Sequence, residues 1–312
     1  MATVTYWVNC PALGDAICCI PIVKALIAEG KLYKVLIPKK FCELFWVCDV
    51  DRKYIVESTK ESVATFKLNG SESVSACAVR RAPYRIHLVD MFSVFSLNAI
   101  LKPEEKCNKA NPDRLPKPKV GLYNPYIVLG IGYALESRKM PLEVFEAVVR
   151  YCKHRNIDVV LLGGQRQQGT KQPIVFDGYP REGCIDMIDR TTMTASVAIM
   201  KDAACVVGID SGLIYLASLT DVPIVSGFTF VDPYYRMPYR HGVKGWQFYP
   251  IEPKGECKYC SNKLAMFGVE FDTKCPLGMA YECVTTLDSK DFIKALKKIQ
   301  SGRPKMVTSQ HE

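Results

Sequence analysis

The stretch VVGIDSGLIYLASLTDVPIV (206–225) decides how this chain of 312 residues is interpreted. An apolar run ends abruptly in Asp210, Ser211 and Gly212, and a helix-like apolar segment and a second apolar run follow. A buried strand that ends in a polar turn before a helix is typical of a β–α unit. In parallel sheets built from such units, ligands bind beyond the carboxyl ends of the strands. The stretch therefore predicts both an α/β fold and a binding turn.

This turn has two interpretations. Ser211 is placed to cap the helix, and Gly212 lets the chain turn and a ligand approach closely. The amides of Ser211, Gly212 and Leu213 would then face a cleft, where the partial positive charge of a helix N-terminus favours phosphate. The alternative is that Asp210 and Ser211 only cap a helix, because such caps are common.

Strand-like and helix-like segments alternate along most of the chain. In the first third, strands are predicted over 4–9, 33–38, 54–58 and 66–68. Residues 102–120 then carry four prolines and many charges, which predicts a linker, and the alternation restarts after it. We therefore expect an α/β fold with two Rossmann-like domains and a cleft between them. The expected divisions are an N-terminal domain, a C-terminal domain and a mobile tail, at 1–110, 111–300 and 301–312.

The composition favours a protein of a reduced compartment with an anionic partner. The net charge is +9, which suits a nucleotide, a phosphorylated glycan, nucleic acid or a membrane surface, although a basic surface alone also explains it. The fourteen cysteines come without a recognisable export signal, so free thiols are expected rather than a disulfide framework. No apolar run reaches the roughly 18 residues of a membrane span, so no transmembrane segment is expected. These features predict a cytoplasmic location.

Two further strand ends carry glycines and polar side chains. GIGYALESRKMP contains Gly132 and offers Arg138 and Lys139 just before a helix, whereas LLGGQRQQ contains Gly164 and Gln167. Neither matches the dinucleotide or P-loop pattern. Each alone is also explained as an ordinary β–α turn.

The last four cysteines form a separate pattern. Cys257, Cys260, Cys275 and Cys283 lie within 27 residues, and four thiolates can bind one Zn²⁺ tetrahedrally. The second pair has the spacing C-x7-C rather than C-x2-C, so buried or paired thiols are the alternative. Such a zinc would be structural, because four protein ligands leave no open position for catalysis.

Two stretches place arginines among aromatic residues. DPYYRMPYRHGVKGWQFYP contains Arg236 and Arg240, and RRAPYR contains Arg80, Arg81 and Arg85. Aromatic rings and cations together can stack on bases or sugars and pair with phosphates. The alternative is a solvated loop with packed aromatic residues.

Taken in order, these motifs resemble glycosyltransferase family nine, the ADP-heptose:lipopolysaccharide heptosyltransferase group, which has the GT-B fold. The resemblance covers most of the chain. It rests on five segments: LGDAICCIPIVKAL (13–26), SRKMPLEVF (137–145), VVLLGGQRQQ (159–168), the strand–DSG–helix–Pro segment (191–225) and the cysteine motif (257–283).

The resemblance implies an inverting glycosyltransferase that moves a sugar from a nucleotide-diphosphate sugar to an acceptor hydroxyl. Asp15 matches the family's proposed general base, and helix capping is its alternative role. No metal-binding DxD motif is evident, so no cofactor is expected to be required for catalysis. The C-terminal domain would bind the donor and the N-terminal domain the acceptor.

The remaining site residues follow from the same resemblance. The donor is expected to contact Gly132, Arg138, Lys139, Gly164, Gln167, Asp210, Ser211, Gly212, Leu213 and Tyr215. The acceptor is expected to contact Gly14, Arg80, Arg81, Arg85, Arg236 and Arg240. The chain departs from the family in having Tyr215 where a histidine is usual and glutamines (167 and 168) where a glutamate is usual. These departures leave the sugar and the base of the donor open.

The acceptor has two candidates at this point. The family precedent is a lipopolysaccharide-type glycan in a bacterial cell. Because some bacteriophages glycosylate modified bases in their DNA, and because the chain is basic, DNA in an infected host is the second candidate. A non-catalytic protein of the same fold that binds nucleotide sugars or nucleic acid is the rival function, and a nucleotide-sugar epimerase is a third.

Overall fold

A computed structural model describes residues 3–9, 12–68, 73–75, 87–118, 120, 125–131, 136–164, 178–263, 275 and 277–302. The first of its two main sheets has the strand order β3-β2-β1-β4, and all of its pairs are parallel. Its strands are β1 (Val4–Trp7), β2 (Leu32–Ile37), β3 (Ile55–Glu57) and β4 (Ser73–Ser75). The accompanying helices are α1 (Leu13–Ala28), α2 (Lys39–Val47), α3 (Lys60–Leu68) and α4 (Leu88–Leu97).

The second sheet has six parallel strands in the order β12-β9-β8-β5-β6-β7. They are β5 (Tyr126–Gly130), β6 (Asp158–Leu162), β7 (Ile185–Asp186), β8 (Val206–Ile209), β9 (Ile224–Gly227) and β12 (Phe248–Ile251). A short hairpin, β10 (Tyr239–Arg240) and β11 (Val243–Lys244), precedes β12. The helices are α5 (Leu142–Lys153), α6 (Met193–Asp202), α7 (Gly212–Ala217), α8 (Cys260–Lys263), α9 (Glu282–Thr285) and α10 (Ser289–Ser301).

The alternation of the sequence therefore becomes two parallel α/β sheets, as predicted, but one predicted strand is wrong. Residues 66–68 belong to α3. The start of that helix explains the error, because Thr59 and Ser62 each accept a hydrogen bond from the other's backbone N–H through their hydroxyls. This reciprocal cap begins a helix that continues through Phe66, Lys67 and Leu68. Three residues with one alternation of apolar and charged side chains are too few to distinguish a strand from a helix.

The predicted linker is packed rather than free. The Asn108 side chain donates to the Ile17 carbonyl of α1 at 3.0 Å. The Ala110 N–H donates to the Leu219 carbonyl, just after α7, at 2.8 Å, and the Asn111 N–H donates to the Val47 carbonyl of α2 at 2.7 Å. The segment therefore ties helices of the two sheets together.

A second tie joins α4 to the loop before the hairpin. The His87 ring donates from Nε2 to the Met237 carbonyl at 2.8 Å and meets the Tyr239 ring edge-on at 5.0 Å. Burial lowers the pKa of His87 to about 4, so the ring is neutral at physiological pH. Beside it, Lys106 of the predicted linker pairs with Asp90 of α4 at 2.6 Å.

Helix α7 makes the contact that matters most for the site. A Cβ atom on Gly14, in the first turn of α1, would lie 2.9 Å from Cδ2 of Tyr215. A Cβ atom on Gly212 would lie 2.9 Å from Cβ of Leu13. The first turns of α1 and α7 are therefore in contact. Tyr215 of α7 packs over Gly14 of α1, and Leu13 of α1 packs over Gly212 of α7.

The sheet side of α7 is equally close. A Cβ atom on Gly130, at the end of β5, would lie 2.7 Å from Leu213, and one on Gly208 in β8 would lie 3.1 Å from Ile214. Glycines thus surround α7 on two sides and place its N-terminus beside α1. Within the described residues, every helix is too short or too polar to cross a membrane.

Candidate active site

Three strand ends of the second sheet converge on one ion pair. Asp210 directly follows β8, and its N–H donates to the Gly227 carbonyl at the end of β9 at 3.0 Å. Arg138 ends a single 3-10 turn (Glu136–Arg138) in the loop after β5. Its Nη2 lies 3.7 Å from Oδ2 of Asp210. The pair sits at the carboxyl edge of the sheet, where ligands of α/β proteins bind.

This pair has unused hydrogen-bonding capacity. The Asp210 side chain is 4% exposed and that of Arg138 is 26% exposed. Within the described part of the chain, neither Oδ2 of Asp210 nor Nε of Arg138 has a hydrogen-bond partner. A buried carboxylate needs a nearby cation, so Asp210 holds Arg138 in place, and the guanidinium stays partly exposed.

The ring of Phe230 packs against the Arg138 guanidinium. The sequence had not indicated Phe230 as a site residue. The guanidinium lies 4.7 Å from the centre of the Phe230 ring. The adjacent Thr229 hydroxyl donates to the Ser137 carbonyl, and the Ser261 N–H donates to the Phe230 carbonyl at 3.0 Å.

The first turn of α7 lies beside this pair. Ser211 occupies the N-cap position with an extended backbone, but its side chain makes no capping hydrogen bond, unlike the cap predicted from the sequence. Ser211, Gly212 and Leu213 are half-buried. The Ser211 hydroxyl therefore accepts no hydrogen bond from the N–H groups of this turn.

Asp15 belongs to α1, whereas Ser211 and Gly212 belong to the start of α7, so these residues lie on the two different helices of the contact. The N-cap of α1 is Ala12, so Asp15 occupies the first turn and is not the cap residue. Its carboxylate is half-buried and favourable near the positive end of the helix. The adjoining Gly14 is the residue that receives the Tyr215 ring.

Tyr215 is buried and does not line an open surface. It is 7% exposed, and its hydroxyl donates to the Arg236 carbonyl at 3.3 Å. Burial raises the pKa of this hydroxyl well above its ordinary value, and the nearby Arg236 guanidinium opposes that shift. The substitution of tyrosine for the family's histidine thus affects a packing position between two helices.

The predicted acceptor role of Arg240 does not fit its surroundings. Arg240 is 2% exposed, and its guanidinium donates to the carbonyls of Thr220, Val222, Trp246 and Gln247. Burial lowers the pKa of Arg240 to about 10, which still leaves it charged. These four carbonyls engage the guanidinium, so Arg240 holds the hairpin loop together. Arg236 is also buried, at 6% exposure.

The other predicted positions are more dispersed. Lys139 is partly exposed and lies 3.9 Å from Glu136. Gly164 follows β6, and a Cβ atom there would lie 3.7 Å from the Asp189 carboxylate. Five predicted site residues lie outside the described residues: Arg80, Arg81, Arg85, Gly132 and Gln167.

The four predicted metal ligands share one small cavity. Cys257, Cys260, Cys275 and Cys283 line a space of about 20 Å³, whose walls also include Ser137 and Phe230. As the described side chains stand, however, no group of three or more His, Cys, Asp or Glu residues is arranged to hold a metal ion. The cavity brings the thiols together without showing a formed site.

The thiols differ in how easily they ionise. Burial tends to raise the pKa of Cys275, but the N–H groups of residues 277–279 and 281 outweigh burial and lower it. Burial and the three neighbouring thiols raise the pKa of Cys283 to about 12. One of the four sulfurs is thus stabilised as a thiolate by the backbone alone, which is the state a metal requires.

Comparison with known proteins agrees with this architecture. The chain matches the family model for glycosyltransferase family 9 (heptosyltransferase) over residues 90–263. No curated protein matches it.

Solved structures of the same fold include three informative ones. The iron-containing dodecameric glycosyltransferase TibC from enterotoxigenic E. coli H10407 is 14% identical, with a TM-score of 0.72, covering 96% of this chain and 76% of that one. Its complex with ADP-D-beta-D-heptose has the same TM-score at 13% identity, covering 96% of this chain and 77% of that one. E. coli heptosyltransferase WaaC with ADP is 13% identical, with a TM-score of 0.59, covering 95% of this chain and all (100%) of that one.

These similarities confirm the predicted GT-B fold with its two Rossmann-like parts. The match to the family model extends over more than half of the sequence. The ion pair at the carboxyl edge of the second sheet lies where a fold of this kind binds its ligand. The chain belongs to glycosyltransferase family 9 and is a glycosyltransferase.

Proposed function

We propose that this enzyme transfers a sugar from a nucleotide-diphosphate sugar to an acceptor hydroxyl with inversion at the anomeric carbon, and that the chemical step needs no metal ion. The observation that carries the proposal is the Arg138–Asp210 pair, which holds a partly exposed guanidinium, with an Nε unpartnered among the described residues, beside the first turn of α7. A leaving diphosphate requires fixed donors at this kind of position.

The donor diphosphate would be held from two sides. Arg138 supplies charge and N–H donors, and Asp210 orients it rather than contacting the sugar. The N–H groups of Ser211, Gly212 and Leu213 supply neutral donors from the first turn of α7. Lys139 is a second cation nearby, but its proximity to Glu136 makes it secondary.

Asp15 would act as the general base. Its carboxylate accepts the proton of the acceptor hydroxyl while that oxygen attacks the anomeric carbon from the face opposite the diphosphate. The bond from the anomeric carbon to the diphosphate oxygen breaks, and its electron pair leaves with the nucleotide diphosphate. The contact between α1 and α7 supports this role, because it places Asp15 one residue from the Gly14–Tyr215 contact.

An ADP-linked sugar is the first donor class to test, since related structures of the same fold contain ADP or an ADP-heptose. We expect ADP and the matching ADP-sugar to raise the melting temperature, because ligands that bind only the folded state stabilise it by mass action. Arg138→Gln should weaken ADP binding about tenfold or more, since one charge-assisted contact contributes about 1.5–3 kcal/mol.

Isothermal titration with ADP measures this effect, and Lys139→Gln is the matched control with an expected loss of less than about threefold. If none of the ADP-, UDP-, GDP- and dTDP-sugars raises the melting temperature of the wild-type protein, the donor proposal is wrong.

Replacement of the proposed base separates catalysis from binding. Asp15→Asn should lower the rate of sugar transfer by about 10²-fold or more and leave ADP affinity unchanged, because a general base contributes about 10²–10⁴-fold. Transfer is followed as nucleotide diphosphate released. Full activity of Asp15→Asn would refute the assignment, and wild-type protein that binds but never consumes a donor would favour the binding-protein alternative. Conversion of the donor sugar to its epimer without any acceptor would favour an epimerase.

The acceptor proposal favours a glycan over DNA. The positive charge supports either acceptor, but Arg240 is engaged by backbone carbonyls and Arg236 is buried, so the hairpin loop offers little to a phosphate backbone. The stretch with Arg80, Arg81 and Arg85 lies outside the described residues.

A salt titration distinguishes the two acceptors. We expect no measurable binding of duplex DNA at about 50 mM salt, because a protein that contacts only a few phosphates releases few counterions and binds DNA weakly. Fluorescence anisotropy of a labelled duplex measures it. Tight binding with a steep salt dependence, lost in Arg80→Gln/Arg81→Gln, would reverse the choice.

We further propose that the four cysteines of the cavity bind one structural metal ion. Four thiols around one space and a backbone-stabilised Cys275 suit Zn²⁺, and the similarity to an iron-containing structure makes iron the second ion to consider. The metal would hold the segments 257–260 and 275–283 together and take no part in the reaction.

Elemental analysis of the purified protein tests this proposal. About one zinc per chain is expected, and Cys260→Ser should lose it, whereas Cys152→Ser, which removes a thiol of a different buried cluster, should keep it. Iron in place of zinc would correct the ion but keep the site. Protein without metal and with all four thiols reactive after unfolding would overturn it.

A further inference from the structure

The first turns of α1 and α7 contact one another in a reciprocal way. Leu13 packs over Gly212, and Tyr215 packs over Gly14. In both cases a Cβ atom on the glycine would come within 2.9 Å of the partner side chain, which is closer than packed carbons approach. We call these two contacts the glycine interlock.

Backbone conformation does not explain these glycines. Neither Gly14 nor Gly212 has a positive φ, although seven other described glycines do. Both lie in the first turn of a helix, where glycine is about 1 kcal/mol less favourable than alanine. The close approach of the partner side chain is the feature of the structure that requires them.

The Tyr215 ring is held firmly on its own side of the interlock. Its hydroxyl donates to the Arg236 carbonyl at 3.3 Å, and the Ser218 hydroxyl donates to its backbone carbonyl at 2.6 Å. The ring is therefore a fixed surface against which the first turn of α1 rests. If that turn moved away from α7, a gap would open between Gly14 and the Tyr215 ring. If it moved towards α7, the ring would have to be displaced.

We infer that Leu13 and Tyr215 are positioning residues, which fix the distance between the base at Asp15 and the donor turn at Ser211. This inference rests on the proposed function of both turns. Asp15 directly follows Gly14, and Ser211 directly precedes Gly212. Each of the two functional groups is therefore adjacent in the chain to one glycine of the interlock. A misplacement of about 1 Å at reacting groups can cost about 10²-fold in rate.

This role separates turnover from donor affinity. Arg138 and Asp210 lie in the second sheet's own loops, and their pairing does not involve α1. A shift of α1 away from α7 therefore moves Asp15 but leaves the cation for the diphosphate in place. The expected signature is a loss in kcat with little change in KM for the donor.

Gly14→Ala tests the inference because the added methyl group must displace the Tyr215 ring or the turn of α1. We expect kcat for donor cleavage to fall at least about tenfold, while the Kd for ADP stays within about threefold. The double variant Gly14→Ala/Tyr215→Leu should recover most of kcat, because the flexible leucine leaves room for the methyl group. Gly302→Ala, whose new Cβ would meet no atom closer than 3.6 Å, is the control and should match the wild type.

Cleavage of the nucleotide sugar that binds best, with water as the acceptor, gives kcat without knowledge of the natural acceptor. Equal losses in kcat and ADP affinity, or no recovery in the double variant, would overturn the inference. Hydrogen exchange of the peptides that cover α1 and α7 is measured on the same proteins. It should be faster in both segments of Gly14→Ala and return in the double variant.

The two measurements separate the two proposals. If the wild-type protein neither binds nor cleaves any donor, the proposed function fails and the positioning role fails with it, whereas the exchange data still decide whether the interlock holds the helices together. If the wild-type protein cleaves the donor and exchange is unchanged in Gly14→Ala, the interlock is wrong and the function stands.

Discussion

The close approach of α7 to its surroundings is the constraint on which the rest of the site depends. Leu213 and Ile214 rest on Gly130 and Gly208 of the sheet, and Tyr215 rests on Gly14 of α1. Any side chain at these glycines would displace a helix of only six residues, which has little stability of its own. Packing against backbone therefore fixes where the N-terminus of α7 lies, and with it the groups beside Arg138 and Asp15.

Local patterns predicted the fold well because parallel α/β units leave strong signals. The apolar runs of β5, β6, β8 and β9 and the polar turns after them are short-range features, and the family resemblance placed them in order. The strand predicted over 66–68 was wrong because a cap at Thr59, and not the alternation of Phe66, Lys67 and Leu68, sets the local structure. Two of the predicted site residues, Arg138 and Asp210, lie together because they follow strands whose carboxyl ends meet, and their roles stay predictions.

The surroundings of other predicted site residues depend on contacts that no local pattern contains. Arg240 resembles a surface cation in the sequence, but its four carbonyl acceptors come from segments on both sides of it in the chain. Tyr215 sits in a helix turn expected to face a ligand, yet the nearest surface is Gly14, about 200 residues earlier in the chain. Phe230 was missed because nothing in an apolar residue itself indicates a site. Its role is visible only from its contact with the Arg138 guanidinium, which lies far away in the sequence.

The position of α10 has a consequence for the synthesis of the chain. This helix packs against α5, and Tyr151 of α5 donates a hydrogen bond to Gln300 of α10 at 2.8 Å. Phe292 and Leu296 of α10 share a core with Ile127 and Leu129 of β5. Because ribosomes deliver the chain from its N-terminus, the second sheet must wait with this apolar face uncovered until α10 has emerged. Chaperones that recognise exposed apolar strands would find their target here during that interval.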